Sequence, residues 1–134
     1  MLAKKKLAVM VLGASTLSFN SFAGEAEEAF TKELAECAAY YQIASDAISA
    51  MNAPQMQAVG ERLKQSGQQA VEIASKYQTE AQVSAAVSQA LEQHKASMPN
   101  SNALGPLMGK YKEKCKTIIA QPEKRLDYWT MATM

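Results

Sequence analysis

The chain has 134 residues, of which 48% are hydrophobic and 20% charged, with a formal net charge of +1. That length suits one domain. So small a charge leaves no electrostatic reason to expect nucleic acid or anionic lipid as a partner.

The first 23 residues read as an address. Lys4, Lys5 and Lys6 form a positive start, followed by a 13-residue apolar run, LAVMVLGASTLSF. Ser21-Phe22-Ala23 then gives a small-residue cleavage pattern with Gly24 as the first residue after it, the layout of a secretory signal peptide. A membrane span needs about 20 apolar residues, so the run predicts cleavage and export, with no integral membrane anchor left behind. The lysine-rich start fits a bacterial precursor bound for the periplasm or secreted. Removing residues 1–23 takes the formal charge from +1 to −2 and leaves 24–134 as a single domain.

From Phe30 the apolar residues recur in steps of four and three through Leu34, Cys37, Tyr41, Ala44, Ile48 and Met51, which predicts a long helix with Cys37 on its buried stripe. Tyr41 takes the seam, so Tyr40 falls on a flank with the prospect of partial exposure. Glu25, Glu27 and Glu28 suit the positive end of the helix dipole. Asn52-Ala53-Pro54 ends the segment, since proline disfavours helix in the residue before it and can open the next helix.

A second helix is predicted along Met56, Val59, Leu63, Ser66, Ala70, Ile73 and Tyr77. Gly60, Gly67 and Ala74 fall seven residues apart on its neighbouring edge. Their spacing marks a groove for the close approach of another helix, or else a kink near Gly67. Thr79 and Gln82 fit a capping box that opens a third helix, with a stripe of Val83, Val87, Ala90, Leu91, His94 and Met98. Pro99-Asn100-Ser101-Asn102 is a turn.

The fourth segment carries Leu104, Met108, Tyr111, Cys115 and Ile118 at helical spacing. Its Lys110–Lys116 stretch also alternates with period two, but a strand would place Glu113 in the core, so helix is the better fit. After Pro122 the tail forms a last turn or short helix, with Leu126 and Trp129 folding back. The fold class that results is all-α, a small antiparallel four-helix bundle. Its architecture is similar to that of small two-cysteine helical periplasmic proteins such as the acid-stress chaperones, with no motif shared residue by residue.

Cys37 and Cys115 are the only cysteines. In an oxidising compartment an even count in a small domain predicts a disulfide, here a staple between the first and fourth helices. Lys114 and Lys116 flank Cys115, which makes it the better thiolate of the two, but there is no CxxC redox pair. His94, with Met98 four residues on, is the one candidate haem-ligating pair; the plainer reading is a core histidine with one hydrogen bond. No nucleophile elbow or phosphate-binding glycine loop is present.

Lys110, Lys112, Lys114 and Lys116 wrap the fourth helix, either as a solvated face or as a contact for an acidic protein. Tyr128 and Trp129 in the tail, together with Tyr40, are the aromatic candidates for partner contact. Methionines 51, 56, 98 and 108 are expected as core filler. The sequence therefore points to a non-enzymatic exported domain that binds another protein: an inhibitor, an immunity protein or a chaperone-like envelope factor. No cofactor is expected. The alternatives are a haem or small-ligand carrier using His94 and a methionine, and an enzyme of unrecognised type.

Overall fold

A computed structural model describes residues 24–134; the expected signal peptide lies outside them. The described residues are all-helical, with α1 at Glu25–Ser49, α2 at Gln57–Ala74, α3 at Glu80–Ser97, α4 at Gly105–Ala120 and α5 at Pro122–Ala132. A single 3₁₀ turn, Pro54–Met56, leads into α2.

The helix boundaries follow local chemistry. The backbone N–H of Gly24 donates to the Glu27 carboxylate at 2.9 Å, tying down the entry to α1. Asn52 takes a left-handed conformation, φ 53°, after α1 has ended, a backbone shape that asparagine tolerates better than most residues. The Thr79–Gln82 capping box forms as expected. Gln82 N–H donates to Thr79 Oγ1 at 3.1 Å, and Thr79 N–H donates to Gln82 Oε1 at 3.0 Å. Pro122 opens α5 at its first position, and of the two forms expected for the tail the short helix is the one present, 11 residues long.

The arrangement differs from the expected four-helix bundle in two ways. Among the described residues there are five helices, and they do not share one core equally: α1 packs against each of the other four. Phe30, Leu34 and Cys37 are buried on its stripe as expected, but so are Ala35, Ala38, Ala39, Tyr40, Ile43 and Ser45 on its flanks. A helix buried on its flanks as well as its stripe sits inside a protein, and α1 is the axle of this one, with Lys32, Gln42 and Asp46 left outside.

Contacts give the directions. Gly60 of α2 faces Ile48 and Gly67 faces Tyr41, while the Tyr77 ring beyond the end of α2 meets Phe30 edge-on at 5.7 Å. On α4, Tyr111 stacks on Tyr40 at 6.0 Å, and Cys115 is bonded to Cys37, with Cα atoms 5.6 Å apart. Both α2 and α4 therefore run opposite to α1. The α4 core line is Leu107, Tyr111, Cys115 and Ile118. This places Met108 on the outside, contrary to its expected role as filler, and Met51 is also exposed because α1 stops short of it.

The glycine edge of α2 is the close-approach groove. A methyl group at Gly67 would lie 3.2 Å from Tyr41 Cβ and 3.6 Å from the Ala38 carbonyl. Both atoms are on or next to the α1 backbone and yield little. At Gly109, inside α4, nothing lies within 4 Å of the same position. Alanine is worth about 1 kcal/mol over glycine in a helix interior. Gly109→Ala is therefore expected to raise the melting temperature by about 4 °C, while Gly67→Ala raises it little or lowers it. Parallel thermal melts check the contrast, and equal gains would show that the α1–α2 approach is slack.

Candidate functional site

The charged residue that organises this fold is Glu33, which precedes Cys37 by one turn of α1. It is 5% exposed and meets three donors. Arg125 of α5 forks onto it, Nε to Oε1 at 2.8 Å and a terminal nitrogen to Oε2 at 2.6 Å. Trp129 Nε1–H donates to Oε1 at 2.8 Å, and Lys114 of α4 brings its Nζ to 3.3 Å from Oε2. Burial by itself raises the carboxyl's pKa. The hydrogen bonds from Arg125 and Trp129, with the charges of Arg125 and Lys114, outweigh it and leave the pKa below its ordinary 4.5. No residue of α5 is fully buried. Besides the partial packing of Leu126 and Trp129, this network is what fastens α5 to α1.

One turn further along α1, Glu36 borders a second polar cluster. Its backbone carbonyl accepts from His94 Nε2 at 3.0 Å, and its carboxylate accepts from the Tyr111 hydroxyl at 3.4 Å. The His94 and Tyr111 rings are 4.8 Å apart, and both residues are buried. Burial, then the Glu36 charge and the hydrogen bond to it, push the Tyr111 phenol up to about 12. Because a carbonyl can only accept, His94 Nε2 carries a proton. That bond commits Nε2 and leaves Nδ1 as the ring nitrogen able to accept a hydrogen bond or ligate a metal. His94 is a core histidine with a defined bond.

The candidates for partner contact separate into three groups. Tyr40 is 1% exposed, so the expectation that it contacts a partner is corrected: α1 is covered on its flanks as well as its stripe, and burial raises the Tyr40 pKa. Lys114 and Trp129 are spent on Glu33. Tyr128, Lys110, Lys112 and Lys116 remain exposed. Tyr128 is braced by the Arg125 guanidinium 4.3 Å from its ring centroid and by the Trp129 ring edge-on at 5.2 Å. On the outward side of α5, Met131 follows Tyr128 by three residues and is 74% exposed.

From sequence Glu33 and Glu36 counted only as acids near Cys37 that oppose a thiolate there, and neither was among the site candidates. Arg125 and Trp129, four apart and so on one side of a helix, were the matching signal in the tail. The Cys37–Cys115 bridge is fully buried and adjoins both clusters in sequence, next to Glu36 on α1 and Lys114 on α4. In comparison with known proteins, the chain matches no family model, no curated protein and no solved structure.

Proposed function

We propose that this protein is an exported, non-enzymatic domain of the bacterial envelope that acts by binding another protein, as an inhibitor, immunity protein or chaperone-like factor does. The outward side of α5 carries this reading. Tyr128 and Met131 are 50% and 74% exposed, on a helix whose inner side is anchored to a buried carboxylate. Exposed large apolar side chains grouped on one surface mark contact sites, and tyrosine is a favoured anchor there. The anchoring matters because a surface held rigid before binding loses less entropy on forming a complex. Lys112 and Lys116 on the exposed side of α4 add positive charge that favours an acidic partner.

Export rests on the leader pattern of residues 1–23 and is supported by the disulfide, which persists in oxidising compartments. No described helix is long and apolar enough to cross a membrane. A denatured mass starting at Gly24 and two hydrogens below the reduced value, from protein recovered from the periplasm, is the expected signature.

The binding reading is tested by placing a photo-crosslinking residue at position 128, or at the exposed Ser88 of α3, in cells that export the protein. Position 128 is expected to yield a discrete crosslinked species that position 88 does not, and Met131→Asp should abolish it. The same products from both positions, or none from either, would sink the proposal.

A further inference from the structure

Between the second half of α3 and the first half of α4 lies a cleft of about 370 Å³, bordered by Glu36, His94, Met98, Leu107, Lys110 and Tyr111. Three observations distinguish it from an ordinary surface crease. First, the Glu36 carboxylate and the Lys110 ammonium both line it, and among the described residues neither forms an ion pair, the two recorded bridges belonging to Glu33. Second, its inner wall holds two buried polar side chains, His94 and Tyr111, each fixed by a bond to Glu36. His94 commits Nε2 to that bond, and its Nδ1 has no hydrogen-bond partner among the described residues. Third, Met98 and Leu107 give the cleft an apolar wall, and both belong to the main core or pack against it.

A concave site with an apolar wall, a few convergent polar groups and a titrating group pushed from its ordinary range is the general form of a small-molecule site. The charges define what it would take. One unpaired carboxylate and one unpaired ammonium along the same cleft are complementary to a molecule carrying one of each. The surrounding low-dielectric wall strengthens both attractions over their value in water.

We propose that this cleft binds a free α-amino acid with an apolar side chain. The ligand's ammonium is received by the Glu36 carboxylate, with His94 Nδ1 as a second acceptor. The ligand's carboxylate is received by Lys110, whose Nζ already sits 5.3 Å from the Tyr111 ring centroid, and the side chain lies against Met98 and Leu107. The site is independent of the contact surface on α5.

The test is a titration of the disulfide-bonded protein with three matched probes, followed by NMR of the His94 and Tyr111 ring signals. The probes are leucine, 3-methylbutylamine, which lacks the carboxylate, and 4-methylpentanoate, which lacks the ammonium. Leucine is expected to shift both rings saturably, and each truncated probe to bind at least about tenfold more weakly, the effect of losing one charge-assisted hydrogen bond. Glu36→Gln and Lys110→Gln should each weaken leucine by a similar factor. Ser97→Phe, at an exposed position on the rim, should block it while leaving the fold and the melting curve intact. No saturable shift with leucine up to about 10 mM would overturn the proposal. So would equal binding of either truncated probe, or unchanged leucine binding in Ser97→Phe.

Discussion

Replacing Cys37 or Cys115 by serine is expected to lower the unfolding free energy by about 4.5 kcal/mol, the chain-entropy value for a loop of this length. The bridge spans a sequence separation of 78 residues, so its loss releases most of the domain in the unfolded state. A domain of this size has a total stability of roughly 5–15 kcal/mol, so the bridge accounts for a large share of it. Both sulfurs are fully buried between α1 and α4, so reduction needs partial opening and is expected to be slow in the folded protein. The double variant should cost little more than either single one, because both remove the same interaction. Denaturant melts of the three variants check this, and additive losses would mean that each cysteine acts through its own packing.

Removal of Glu33 is the second large effect. Breaking a buried ion pair from one side costs about 3–5 kcal/mol because the other charge is left unpaired. Here the lower end applies, since the Arg125 side chain is 29% exposed and regains water. Glu33→Ala is therefore expected to detach α5 before the rest of the fold melts. Trp129 is the only tryptophan and its indole N–H bonds to Glu33, so its fluorescence reports the detachment directly. Acid should do the same to the unaltered protein. The Glu33 carboxyl has a folded pKa below its ordinary 4.5, so its contribution is complete above that value and declines as the pH falls through the lower, folded one. A tryptophan emission that changes in acid in the unaltered protein, but is constant with pH in Glu33→Ala, is the expected pattern. An emission that ignores both would show that α5 is held by Leu126 and Trp129 packing alone.

The parts of this structure legible in the sequence are those written in local spacing. Apolar steps of three and four placed four helices, Thr79 and Gln82 marked the start of α3, and two cysteines behind a leader-like segment implied their own pairing. The glycine edge of α2 was legible for the same reason, as a repeat of small residues at one helical angle. Tyr40 was misjudged because a single apolar stripe implies a single buried face. The alanines at 35, 38 and 39 are equally compatible with a surface helix and with one enclosed on its flanks, and only the partners decide. Glu33 was missed for a different reason. A carboxylate is buried only where donors meet it, and Arg125 and Trp129 lie 92 and 96 residues away in sequence.

The central position of α1 also has a kinetic meaning. It is the first of the five helices to be made, and it cannot bury its own apolar surface until the others arrive. A nascent chain therefore carries an uncovered, tyrosine-bearing segment for longer than any other described helix, the condition in which chains associate wrongly. The bridge offers no early help, because Cys115 lies in the fourth helix and Cys37 has no partner until three helices have already been delivered. Oxidation thus seals a topology that packing has assembled, and refolding of the reduced chain should reach a native-like helical content before the first disulfide appears.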